Sequence, residues 1–129
     1  MIVSAIVHQK TQYGCLAAVA AMITGEPLEV VNLAIGHDGS ERPFSFLEVA
    51  AFLNSRGFHL GAYSKDIDWP LINWSLVYPA LLFTVSSVVN GAHAVLWDGD
   101  KVLDPEESNA GKGLKDYNVQ AIWPIAEVI

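Results

Sequence analysis

Residues Leu16 to Ile23 are apolar without interruption, and the run is bracketed by Gly14 and Gly25. Such a run covers every face of a helix. The segment therefore predicts a buried helix of strong helix formers, opening after one glycine and stopped by the other. Glu26 and Pro27 open a second predicted helix that reaches about Ile35, with proline at an early helical position and Gly36 as the stop. Leu28, Val31, Ala34 and Ile35 form its apolar stripe. After a polar, turn-rich stretch over residues 37–43, residues 44–56 predict a third helix closed by Gly57. Ser45, followed three residues later by Glu48, has the spacing of a capping box and would move the start of that helix one residue on. Phe46, Leu47, Ala50, Ala51 and Leu53 supply its core face, with Asn54 at a polar edge.

The pattern then changes from helical to strand-like. Residues 58–63 predict a short strand, 80–88 a buried one, Gly91 to Leu96 the next and 119–125 the last. Residues 66–73 are ambiguous, because Pro70 opposes a long regular element. Residues 1–7 fit either an edge strand or an extended lead-in. Helices first and antiparallel strands afterwards predict an α+β fold, with N-terminal helices packed on a C-terminal antiparallel sheet. With no linker, internal repeat or composition break, residues 1–129 are expected to form a single domain.

Asp98-Gly99 lies between two apolar runs and marks a two-residue hairpin. With those two residues as the loop, Trp97 pairs with Asp100 and His93 stands directly opposite Asp104, within hydrogen-bonding reach of its carboxylate. With Gly99-Asp100 as the loop, His93 faces Glu106 and Asp104 becomes a diagonal neighbour. Pro105 ends the strand, since proline has no N–H for a ladder. Residues 106–113 are polar and glycine-bearing, predicting a mobile surface loop beside Asp104, a plain connection more readily than a lid.

These elements set the candidate chemistry. Cys15 is the lone cysteine and falls in the first helical turn, where unpaired N–H groups and the positive end of the helix dipole favour a thiolate. An acid beside His93 would hold its tautomer and favour the imidazolium. Gln9, six residues before the thiol, would join the Cys15 backbone N–H as an oxyanion donor, with Gln12 as the competing donor. Taken singly, the cysteine reads as a small buried hydrophobe, the histidine as a core residue and Asp104-Pro105 as a turn. Their order, spacing and hairpin register together point to a thiol acyl-transfer site.

The set Gln9, Gly14-Cys15, Ala18, Met22-Ile23, then His93-Ala94-Val95 and Leu103-Asp104-Pro105 resembles the papain-like cysteine peptidases. It is most similar to the small bacterial type that processes double-glycine bacteriocin leaders, and to its stand-alone relatives. The resemblance spans most of the chain in order, although residues 26–90 match only in general plan. It implies a papain-like fold and a thiol hydrolase acting on a peptide or protein amide bond. By position, Cys15 would be the nucleophile, His93 the base, Asp104 the orienting acid and Gln9 the oxyanion donor. A deamidase or acyltransferase would use the same triad, and an idle papain-like scaffold that binds and regulates a protein partner is the alternative. The chain departs from the family in having Gly14 before the cysteine and Leu16 after it, and in a short interval between His93 and Asp104.

Composition narrows the remaining classes. A single cysteine precludes an internal disulfide and fits a reducing compartment, and residues 1–7 lack the basic start of a signal peptide and the length of a membrane span. A cytoplasmic location is the expectation. Seven basic against fourteen acidic residues give a net charge of −7 with no Lys/Arg cluster, so no nucleic-acid partner is expected. His8, His37 and His59 show no metal-like spacing with Cys15, so neither metal nor cofactor is expected. Trp97 shares strand parity with His93 and Val95, and for Trp69, Trp74, Trp97 and Trp123 core packing is expected ahead of a pocket role.

Overall fold

The computed structural model describes residues 5–61, 64–65, 79–85 and 92–128. Three helices come first: α1 (Cys15–Thr24), α2 (Leu28–Ile35) and α3 (Phe46–Ser55). Strands β1 (Phe58–Leu60), β2 (Ser64–Lys65), β3 (Ala80–Val85), β4 (Ala92–Trp97), β5 (Val102–Leu103) and β6 (Val119–Glu127) follow. The strands pair antiparallel in the order β1-β6-β3-β4-β5, and β2 also pairs with β6. The expected α+β division is observed. The readings made at residues 1–4, 62–63, 66–73, 86–88 and Gly91, and those of Trp69 and Trp74, lie outside the described residues.

Helix α1 is buried from Leu16 to Ile23 and ends at Gly25, whose φ of 76° lets its N–H return to the Ala21 carbonyl. Its four alanines at 17, 18, 20 and 21 are at most 1 % exposed, and their small side chains allow α1 to lie close to its neighbours. Helix α2 starts just after Pro27 and buries Leu28 and Val31, with Ile35 at the core margin and Ala34 exposed. In α3 the capping box forms in both directions: the Ser45 hydroxyl accepts from the Glu48 N–H, and Glu48 accepts from the Ser45 N–H.

The predicted core face of α3 needs correction. Val49, Phe52 and Leu53 are buried, whereas Leu47 is 78 % exposed and Ala51 is also exposed. Capping at Ser45 sets the phase. The inward line then runs through Phe46, Val49 and Leu53 at helical spacing, and Leu47 points away from it.

The hairpin register also differs from the first expectation. Leu96 pairs with Leu103 and Trp97 with Val102, so the loop is Gly99-Asp100. The cause is the Asp98 carboxylate, which accepts the N–H groups of Asp100 at 2.8 Å and Lys101 at 2.7 Å, while the Asp98 N–H donates to the Lys101 carbonyl. Asp98 thereby becomes the closing residue, and Gly99, at φ 100°, takes the first loop position. Asp104 is consequently a diagonal neighbour of His93, one residue beyond the end of β5.

Strand alternation divides the interior. Leu81, Ala94, Leu96 and Leu103 join the helices in one core, which Trp123 extends by packing at 4.7 Å against both Phe46 and Phe83. Ala80, Leu82, Val95, Trp97, Tyr117, Val119 and Ile122 form a second core on the opposite face. Trp97 is thus a core residue, as expected of it ahead of a pocket role.

Candidate active site

The chain enters α1 through a tight turn in which the Gly14 N–H meets the Thr11 carbonyl at 3.2 Å. A Cβ at Gly14 would stand 2.7 Å from the Thr11 hydroxyl, too close for any side chain without a shift. A side chain before the cysteine would therefore have to displace the Thr11 hydroxyl from its bond to the Asp38 carbonyl. Leu16, immediately after, is 5 % exposed in the helical core, and Cys15 is left half-buried at the helix tip.

His93 stands one residue inside β4 and is 9 % exposed. Its Nε2 lies 2.6 Å from Asp104 Oδ1, and the Cys15 side chain is near enough to the same ring to help favour its charged form. With Nε2 given to Asp104, Nδ1 is the nitrogen left for the sulfur. Burial opposes charge on this ring, but the hydrogen bonds with Asp104 and Cys15 outweigh it and raise the imidazole from its ordinary 6.5 to about 9. The surroundings thus favour the charged ring.

Asp104 is 4 % exposed, and four donors converge on its carboxylate. Oδ1 takes His93 and the Glu106 N–H at 2.8 Å; Oδ2 takes Asn109 Nδ2 at 3.0 Å and the Tyr117 hydroxyl at 2.7 Å. Burial alone would raise its pKa. The hydrogen bonds from His93, Tyr117 and Glu106 prevail and hold it below the usual carboxylate value. Burial and the Asp104 charge push the Tyr117 phenol far above its ordinary value, so it remains a donor.

Gln9 reaches the same cleft by a different route. Its backbone N–H donates to the Pro105 carbonyl at 2.9 Å, lacing the segment before the thiol to the segment that carries Asp104. Its side-chain Nε2 donates to the carbonyls of Thr11 at 3.0 Å and Gln12 at 3.3 Å. Both amide hydrogens are engaged, and Oε1 is buried without a partner among the described residues. The competing donor Gln12 is exposed and also borders the cleft. This cleft, of about 320 Å³, is bordered by Gln9, His93, Asn109 and Tyr117 and is mostly polar.

Comparison with known proteins supplies the frame for this geometry. No protein-family model matches the sequence, and no curated protein matches it. Among solved structures, the chain is similar to the crystal structure of a double-glycine motif protease from an AMS/PCAT transporter in complex with the leader peptide. The likeness has a TM-score of 0.70 at 15 % identity, and covers 96 % of this chain and 91 % of that one. The fold is that of the papain-like cysteine peptidases.

Within this papain-like fold, the structure hydrogen-bonds His93 to Asp104, places Cys15 near the His93 ring, and sets Gln9 on the cleft that His93 borders. Sequence reasoning missed Tyr117 and Asn109, whose approach to Asp104 depends on how residues 105–118 fold back. Residues 106–113 of that segment are the polar loop expected beside Asp104; a short 3₁₀ turn over Glu107–Asn109 shapes them, and a second over Leu114–Asp116 follows. Thr84, whose hydroxyl donates to the His93 carbonyl at 3.1 Å, was also missed. Its cross-strand position opposite His93 was the available signal. Among the described residues, no three His, Cys, Asp or Glu side chains gather as a metal site requires.

Proposed function

We propose that this chain is a cysteine peptidase-like hydrolase acting on an amide bond of a peptide or protein. The observation that carries the reading is the His93 ring held between the Asp104 carboxylate, at 2.6 Å, and the Cys15 thiol. In the proposed reaction the Cys15 thiolate attacks the amide carbonyl and His93, as imidazolium, gives its proton to the departing amine. The neutral ring then takes a proton from water, which attacks the thioester and releases the acid, regenerating the thiol pair. Asp104 stays ionised and holds the ring through both steps.

The Cys15 backbone N–H, at the start of α1, and Gln9 Nε2 would hold the tetrahedral oxyanion. For this, Gln9 exchanges its longer contact, with the Gln12 carbonyl at 3.3 Å, for the oxyanion. The solved double-glycine protease holds a leader peptide, which supports a peptide as the substrate class here.

The test is thiol reactivity. Iodoacetamide should alkylate Cys15 readily at neutral pH, and His93→Ala should slow that by about tenfold or more. Equal rates in the two proteins would defeat the hydrolase reading. Cys15→Ala used as bait in lysate, compared with wild type, then identifies the substrate. A cleaved chain supports a peptidase, whereas an intact chain with a side-chain amide turned to acid marks a deamidase.

A further inference from the structure

The far oxygen of Asp104 is held from outside the Cys15, His93 and Asp104 set. A carboxylate that orients an imidazole through one oxygen is free to rotate about its own axis unless the other oxygen is held. Here Oδ2 is held by two side-chain donors, the Tyr117 hydroxyl at 2.7 Å and Asn109 Nδ2 at 3.0 Å. Neither touches His93 in the hydrogen-bond pattern of the site, and both come from the segment that borders the cleft.

Tyr117 is 9 % exposed and its ring packs in the second core with Trp97, Val119 and Ile122, so its hydroxyl is delivered from a rigid base. Asn109, at the end of the 3₁₀ turn Glu107–Asn109, completes the clamp from the cleft side. The Glu106 N–H joins His93 on Oδ1 at 2.8 Å, leaving both oxygens doubly satisfied.

We propose that Tyr117, with Asn109, is a positioning residue for the reaction: it locks Asp104 so that Oδ1 is presented to His93 and the carboxylate stays ionised. This rests on the proposed hydrolase reading and deepens it. The phenol holds Asp104 as an anion, because a hydrogen bond donated to a buried carboxylate favours its charged form. Removing it leaves Oδ2 short of a donor in a buried site, and protonation of Asp104 becomes easier. A protonated Asp104 no longer sustains the imidazolium that pairs with the thiolate. The titratable groups around Asp104 are His93 from β4 and Tyr117 with its neighbour Asp116, with Glu106 following in the chain and Cys15 acting through His93.

The experiment measures the second-order rate of Cys15 alkylation by iodoacetamide across pH in wild type, Tyr117→Phe and Asn109→Ala. Phenylalanine keeps the ring in the second core and removes only the hydroxyl. The expected result is that the acid end of the rate profile moves upward by about one pH unit in Tyr117→Phe, and in the same direction in Asn109→Ala. A lower melting temperature with an unmoved profile would assign Tyr117 to packing alone and overturn the inference. Should Tyr117→Phe not fold, the half-exposed Asn109→Ala decides by the same profile. If wild type and His93→Ala alkylate alike, it is the hydrolase reading that fails; a His93-dependent wild type with unmoved variants fails the clamp.

Discussion

His93 shows how opposing effects are settled at one residue. Burial would leave the ring neutral, yet the carboxylate on one side and the sulfur on the other raise it to about 9. A folded-state value above the ordinary 6.5 means that the native state binds the proton more tightly than the unfolded chain does. The stabilisation is therefore complete below about 6.5 and is lost as pH rises through about 9. Denaturation midpoints should fall over that window in the wild type, and the fall should be absent in His93→Gln. Asp104 has the opposite sign: its lowered value stabilises the fold above its ordinary 3.8 and stops doing so as pH falls through the folded value. The identities of these two residues were legible in the sequence, because order and hairpin proximity are local properties. The donors on Asp104 Oδ2 were not, because Tyr117 lies thirteen residues downstream across turns with no periodic signal.

At the scale of elements, the turn into α1 is built by two loops leaning on each other. The Thr11 hydroxyl donates to the Asp38 carbonyl at 2.8 Å, and Gly39 sits beneath both. At Gly39 the φ is +78°, and a Cβ there would lie 2.9 Å from the Phe44 ring and 3.0 Å from both the Thr11 hydroxyl and the Tyr13 carbonyl. The neighbouring loop is braced from the other side, where Arg42 grips both oxygens of Glu48 and His37 stacks on Phe44 at 4.1 Å. Arg42 holds the Glu48 carboxyl well below the usual range, its hydrogen bonds being the largest cause. Gly39→Ala should cost about 2 kcal/mol or more, combining left-handed strain with the displaced turn, and should slow Cys15 alkylation. Gly36→Ala is the control: its φ of +107° carries strain, but nothing stands within 4 Å of its Cβ. It should lower the melting temperature less and leave the alkylation rate unchanged. A Gly39→Ala protein that melts and alkylates like wild type would show that the loop does not shape the turn. Helix ends and the capping box at Ser45 were readable from residue types. Of the two hairpin loops the residues allow, Gly99-Asp100 is the one formed, because the Asp98 side chain, rather than the Asp98-Gly99 pair, decides which residues close it.

Across the whole molecule, the site depends on how closely α1 lies against the sheet. By alternation His93 and Asp104 belong to the sheet face that carries Val95, whereas Ala94, Leu96 and Leu103 face α1. Parity alone would separate ring and sulfur. They meet because each stands at the end of its element, Cys15 first in α1 and His93 one residue inside β4. Ala20 is 0 % exposed within the helical core, so Ala20→Leu should wedge α1 outward, destabilise by about 1–3 kcal/mol and slow alkylation at neutral pH. Denaturant titration together with the alkylation rate checks this; unchanged reactivity in a destabilised protein would show that the thiol pair tolerates movement of the helix. The sequence by itself determined the helices, the order of helices before strands, the lone cysteine at a helix tip and the acid near the histidine, all products of short-range propensity and spacing. Only the structure decided the hairpin closure, the inward face of α3, the engaged amide of Gln9 and the four donors on Asp104. The first three turn on short side-chain-to-backbone hydrogen bonds, whose choice among local partners residue type and periodicity do not fix, and the last on side chains brought together as residues 105–118 fold back.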